Sequence, residues 1–324
     1  MRAAVAAALV ASSALGATAA AQEWPTRPVT MVVPYAAGGP VDTIGRVLAA
    51  GLGEILGQQV VVENIGGAGG MTGSARVARA SPDGYTFLLG GSAVLAQIPS
   101  FYKKPLYDAI ADFAPVALVT DSARVLVTRR DLPPNTFPEF VAYAKANQDK
   151  LQYGSAGAGS GSHVCSLLLD EVMGTRITHV PYRGAGPAMQ DLIAGRIDFI
   201  TEQISTAVSQ IRAGTVKGIV TLGLDRAAVL ADLPTAKELG YGDLDCGAWA
   251  AFVFPKGVPE GIVRKLARAA NEIVETPSVR DRLAQLGVTI PPPARRTTEY
   301  LSRFIPAEIA KWEPLIKASG ISAD

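Results

Sequence analysis

Histidine and cysteine are scarce in this chain, with two of each among 324 residues. His163 and His179 lie 16 positions apart, one at an expected helix start and one at an expected strand end, and no acid–cysteine cluster accompanies them. This matches no common zinc spacing. Cys165 and Cys246 form no short metal-binding pair either, so no metal is expected. Charge of one sign is also lacking: 30 Lys and Arg face 29 Asp and Glu. Nucleic-acid backbones are held by clustered basic residues, and such a balance argues against that partner. Beyond the first residues, no apolar run is long enough to cross a bilayer.

The first residues are a special case. Met1-Arg2 precedes an alanine-rich, uncharged run, Ala3 to Ala21, that ends in small residues and reads as a secretory signal peptide over 1–21, cleaved near Ala21-Gln22. Removing it takes away Arg2 and no acid, leaving 29 basic against 29 acidic residues. Roughly 300 residues remain, more than one core usually serves, which favours two lobes. In an exported protein Cys165 and Cys246 are either joined as a disulfide or buried as two free thiols.

Glycine and small residues are plentiful, and they fall at strand ends. Pro28 to Pro34 reads as a strand that runs through Tyr35-Ala36-Ala37-Gly38-Gly39-Pro40-Val41-Asp42 into a helix from Thr43 to Gly57. A strand delivering a glycine turn to a helix start leaves backbone N–H groups free to meet an anion. The strand at Gln59–Glu63 and the strand at Tyr85–Leu89 also run into glycine loops, at Gly66–Gly73 and Gly90-Gly91-Ser92. Successive strand–turn–helix units predict a parallel α/β layout with ligands at the carboxyl ends of the strands. The Gly66–Gly73 loop lacks the lysine of a P-loop, and the acidic residue of a dinucleotide site has no clear counterpart. No cofactor is expected.

The pattern repeats after residue 150. Leu151–Gly154 is an expected strand, and Ser155-Ala156-Gly157-Ala158-Gly159-Ser160-Gly161-Ser162-His163 carries it into a helix through Met173, adding hydroxyls to the backbone donors. Arg124–Thr128 is expected to open this second unit as a strand. A strand at Gly247–Phe254 returns the chain to the first sheet before helices over 260–275, 278–286 and 298–319. The domain reading is therefore 22–121 with 250–324 as one lobe and 122–249 as the other, joined by two crossings that permit hinge closure.

Candidate chemistry is thin. Asp42 either caps the first helix or contacts a ligand directly. Asp42 or Asp198 would neutralise a ligand amine. Arg183 is either a partner for a carboxylate or an exposed side chain, and Tyr35 is either a ligand contact or plain wall. Ser160 and His163 lie within one helical turn but lack an orienting acid and the strand–elbow pattern, which leaves an exported ester hydrolase as a minor alternative. A cleft rich in neutral donors and poor in acid–base groups suits binding without turnover.

These motifs, taken in order, resemble the solute-binding proteins of tripartite tricarboxylate transporters, the Bug receptors. The resemblance runs through Trp24-Pro25, the Tyr35–Asp42 turn, Val61-Val62-Glu63-Asn64, Pro82-Asp83-Gly84-Tyr85-Thr86, Ser155-Ala156-Gly157, His179-Val180-Pro181-Tyr182-Arg183-Gly184, Leu233-Pro234-Thr235 and Trp249. It implies a two-lobed α/β periplasmic binding protein fold of type II-like form, each lobe a mainly parallel sheet flanked by helices. It also implies that the turns at Tyr35–Asp42 and Ser155–Ser160 grip one solute carboxylate, partly through ordered water. The distal cleft, around Gly90-Gly91-Ser92, Pro181–Gly186 and Glu202-Gln203, varies with the solute. The expected site is thus Tyr35, Ala37, Gly38, Gly39, Val41, Asp42, Gly91, Ser92, Ser155, Ala156, Gly159, Ser160, His163, Pro181, Tyr182, Arg183, Gly184, Asp198 and Glu202.

The function so implied is a monomeric periplasmic receptor that is not an enzyme. It captures a dicarboxylate, amino or aromatic carboxylate and presents it to membrane permease subunits or, alternatively, to a periplasmic sensor domain. Two residues bear on the solute. Pro40-Val41 stands where many relatives carry small or hydroxyl residues, and Glu202, an acid near the distal cleft, favours an ammonium or hydroxyl there over a second carboxylate.

Overall fold

The computed structural model describes residues 24–242 and 244–318. The leader expected over residues 1–21 lies outside them. The first strand, β1 (Val29–Val33), is wholly aliphatic apart from Thr30 and is almost entirely buried. Helix α1 (Pro40–Leu56) follows, with Pro40 in its first turn, where a missing N–H costs nothing, and Gly57 closing it in the left-handed conformation at φ 68°. Ile44, Leu48, Leu52 and Leu56 recur every fourth residue and form the stripe that packs on the sheet.

The chain continues through β2 (Val60–Asn64), α2 (Met71–Ala78) and β3 (Thr86–Gly91). Next come a π-helical turn at Ala93–Gln97, the short helix α3 (Ile98–Phe101), and β4 (Phe113–Ser122). One residue later β5 (Arg124–Arg129) begins the second sheet, followed by α4 (Phe137–Asn147), β6 (Gln152–Ser155), α5 (Gly161–Met173) and β7 (Thr178–Pro181). Then α6 (Ala185–Ile193), β8 (Phe199–Gln203), α7 (Ile204–Arg212) and β9 (Val216–Thr221) lead to β10 (Ala248–Pro255). The tail is α8 (Glu260–Glu275), α9 (Pro277–Gln285), β11 (Val288–Thr289) and α10 (Thr298–Ala318).

Two helix-flanked sheets result, ordered β11-β4-β10-β3-β1-β2 and β7-β6-β8-β5-β9. This is the expected two-lobed α/β fold, with one difference of detail: the sheets are mixed. In the first, β1 pairs β2 and β3 in parallel, while β10 lies antiparallel between β3 and β4. In the second, β6 pairs β7 and β8 in parallel, and β5 lies antiparallel between β8 and β9. Local strand–helix units favour parallel neighbours, but β5 and β10, each entered from a crossing between the sheets, run against theirs.

A disulfide joins Cys165 on α5 to Cys246 just before β10, across 81 positions. The core is continuous between the sheets: Phe101 and Tyr102 share one buried cluster with Val164 and Leu168 of α5 and with Trp312 and Ile316 of α10. Among the described residues, no helix is long and apolar enough to cross a membrane.

Candidate functional site

The carboxyl ends of the strands in both sheets face one another, and their turns meet. Ala36 N–H donates to the Arg183 carbonyl at 3.2 Å, and Tyr102 Oη donates to the Ala158 carbonyl at 3.0 Å. Backbones approach closely enough to need glycine: a Cβ on Gly69, at φ +64°, would stand 2.2 Å from the Ala158 carbonyl oxygen, and one on Gly186 would stand 2.9 Å from that of Ala37. The lobes are closed on each other along this seam.

Behind the seam lies a cavity of about 50 Å³. That is room for a few waters and less than the ~150 Å³ that encloses benzene. The first lobe contributes Tyr35, Gly39, Pro40, Val41, Ile44, Gly91, Ser92 and Ala93 to the wall. Ala156, Ser160, Gly161, Ser162, Ala185, Glu202 and Gln203 face them from the second. The floor is made by the crossings themselves, with Thr120, Ser122 and Arg124 on one and Ala248, Trp249 and Ala250 on the other.

Its electrostatics favour an anion. Among the described residues, four helices, α1, α5, α6 and α7, begin at this wall, each with its positive dipole end toward the cavity. Ser160 caps α5 by accepting the His163 N–H at 3.3 Å, and Ser162 Oγ accepts the Ala156 N–H at 2.9 Å. Arg124 lies against this helix start: a Cβ on Gly161 would stand 2.2 Å from Arg124 Nη2. Arg124 is 6% exposed, and its guanidinium donates a long hydrogen bond, 3.4 Å, to the Thr201 carbonyl. Burial pulls its pKa down, opposed by Glu202 and Tyr35, yet an arginine stays charged in a protein. A buried cation pressed on the positive end of a helix is unfavourable unless an anion sits between them.

Glu202 is the acid that shares the cavity. It is 2% exposed, and burial pushes its carboxyl up to about 7, opposed by a hydrogen bond from Thr206 and by the charge of Arg124. The Thr206 Oγ1 contact is 2.7 Å. Tyr35 is likewise raised by burial.

Other expected site residues stand outside the cavity wall. Asp42 is locked into its own turn, accepting from Gly38 N–H at 2.9 Å, Arg46 Nε at 3.0 Å and Asn64 Nδ2 at 3.0 Å. Burial works against its ionisation, but these bonds outweigh it and hold the carboxyl below its ordinary range. Ala37 and Gly38 lie exposed on the outer side of the same turn. Pro181 and Arg183 are exposed, and Arg183 uses its carbonyl at the seam where Gly184 abuts Ala36. Tyr182 donates to Asp191 at 2.8 Å. Asp198 accepts from Arg129 Nε at 2.9 Å and Gln152 N–H at 2.7 Å. It immediately precedes β8 at its far end, about 13 Å from the cavity-lining Glu202 by strand rise.

His163 and Ser155 brace the second turn from beneath. His163 Nδ1 accepts the Gly159 N–H at 3.1 Å, and its ring stacks on His179 at 3.9 Å. His179 Nε2 in turn bonds Ser155 Oγ at 2.6 Å. Burial, with the neighbouring imidazole adding to it, pushes His163 down to about 3, and burial pushes His179 down to about 4, so both rings are neutral. The imidazole of His163 faces these groups and not Ser160 Oγ, the arrangement that ester hydrolysis would need.

Residues 44–321 match the tripartite tricarboxylate transporter family receptor. A protein of Agrobacterium vitis described as "UPF0065 protein in the TAR-I ttuE-ttuC' intergenic region" is 41% identical over 313 residues, covering 96% of this chain and 90% of its own length. The chain belongs to this family. Among solved structures, that of the periplasmic binding protein BugD superposes with a TM-score of 0.90 at 38% identity, covering 93% of this chain and 100% of its own. MatC from Rhodopseudomonas palustris with bound malate gives 0.87 at 39% identity, covering 90% and 99%.

As a tripartite tricarboxylate transporter receptor, the protein is a periplasmic solute-binding protein and not an enzyme. The residue that sequence reasoning missed in this receptor is Arg124, read there only as the first residue of a strand. Its signal was its position: a lone cation opening an apolar strand, at a crossing between lobes. Thr120, Ser122 and Trp249 were missed as cavity wall for the same reason, since strand residues are taken as core until their end of the strand is known.

Proposed function

We propose that this receptor captures a small carboxylate in the cavity between its lobes and passes it to the permease subunits of a tripartite transporter. The lobes are residues 22–121 with 250–324 and residues 122–249, and they part about the crossings at 122–124 and 247–249 to admit the solute. One observation carries the reading: the buried, scarcely bonded guanidinium of Arg124 lies against the start of α5 at the wall of the cavity. A carboxylate placed there meets a full positive charge, a helix start and the hydroxyls of Ser160 and Ser162, and satisfies all of them together. The malate held by MatC fits this chemistry.

Thermal unfolding with malate, succinate, glutamate and benzoate tests it. A ligand at a hundred times its Kd adds about 2.7 kcal/mol, or roughly 5 °C for a protein of this size. At least one of these is expected to give such a shift, and none doing so overturns the proposal. Retention of the solute-loaded protein by the small membrane subunit tests delivery.

A further inference from the structure

Arg124 and Glu202 are both buried and both line the cavity, but they leave the second sheet on opposite faces, since Arg124 pairs with Gln203 and Val125 with Glu202; the carboxylate accepts from Thr206 Oγ1 of α7 and not from the guanidinium. Besides Arg124 and Glu202, the polar groups on the wall are serine and threonine hydroxyls, the Gln203 amide, the Trp249 indole and the Tyr35 phenol. Of these, Tyr35 alone titrates, far above neutral pH. Among the described residues lining the cavity, Arg124 is therefore the one cation and Glu202 the one acid. Empty and ionised, the pair is neutral overall. Adding a solute carboxylate puts two negative charges and one positive into a closed, poorly solvated space, where like charges cannot both remain ionised cheaply.

Resting on the reading of the site as a carboxylate receptor, we infer that docking of a solute carboxylate against Arg124 transfers one proton from solvent to Glu202, making proton uptake part of binding. The protonated carboxyl then becomes a hydrogen-bond donor beside the solute. This changes the specificity expected of the position. A charged Glu202 repels a second carboxylate, whereas a protonated one donates to it, or to a hydroxyl. Burial already holds the proton on Glu202 up to about 7 without solute, so the solute's charge need move it only a little further.

Titration calorimetry decides it. The tightest binder among malate, succinate, glutamate and benzoate is titrated at pH 8 in phosphate and in Tris, whose ionisation enthalpies differ widely. The difference in observed enthalpy is expected to report close to one proton taken up per solute. Affinity is expected to weaken about tenfold per pH unit above pH 7.5, where simple carboxylates stay ionised, and Glu202→Gln is expected to bind with a flat profile. Binding of the wild type with no buffer dependence overturns the inference and leaves the receptor reading standing. Binding of none of these solutes overturns both. The buffer comparison needs no variant, so a poorly folding Glu202→Gln does not obscure the result.

Discussion

The turns at Tyr35–Asp42 and Ser155–Ser162 are built alike, each a strand running through glycine into a helix start, but they do different work. The first is stiffened from within: Asp42 ties Gly38, Arg46 and Asn64 together and presents the cavity with Pro40 and Val41. The second turns hydroxyls inward at Ser160 and Ser162 and has Arg124 pressed behind them. One jaw supplies shape and the other supplies charge. A pair of similar anion-binding motifs thus need not share an anion equally, because what decides the share is the buried side chain behind each.

Substitutions can break or sharpen that contrast. Arg124→Met removes the charge of the second jaw and is expected to weaken solute binding about a thousandfold, or 4 kcal/mol, while calorimetric unfolding of the empty protein stays close to wild type. Equal binding would show that the helix starts suffice. Gly186→Ala attacks the seam alone, since the added methyl meets Ala37 and Gly38 of the opposite lobe and alanine suits the α6 helix. Affinity is expected to fall about tenfold from the lost closed form, with the stability of the separate lobes unchanged, as read by calorimetry and small-angle scattering. Asp42→Ala tests the first jaw. Losing its buried bonds is expected to cost about 2 kcal/mol of stability, with affinity falling less than threefold. Because the folded carboxyl is held below its ordinary value, its stabilisation is present at neutral pH and lost as pH drops below about 4. The variant should therefore lose less stability than wild type on acidification.

Much of this was legible in the chain. Aliphatic strands, glycine turns and helix starts are local patterns, and β1, α1, β6 and α5 fall where those patterns place them. The local partners of Asp42 follow from nearby sequence as well, since an acid in the first helical turn meets an arginine four residues on and the turn N–H before it. What was not legible depends on partners far away in sequence. The antiparallel seat of β10 between β3 and β4 follows from the crossings, not from its residues. The π-helical turn at Ala93–Gln97 packs beneath α10 and carries no helix signal of its own. Arg124 looked like a strand boundary, since nothing adjacent says that its end of the strand closes a cavity. Glu202, expected near the distal cleft, lines the cavity, but its charge was read alone, without the guanidinium that lines it too.

The seat of β10 also bears on how the protein is made. β10 supplies an inner strand of the first sheet, pairing with both β3 and β4, yet it emerges only after the whole of the second lobe. Until residue 255 is delivered, β3 and β4 keep bare edges facing a gap, and the first lobe cannot close its core. An exported chain that completes its oldest half last remains unfinished throughout its passage, and it gains a working cleft only when the return strand slides home.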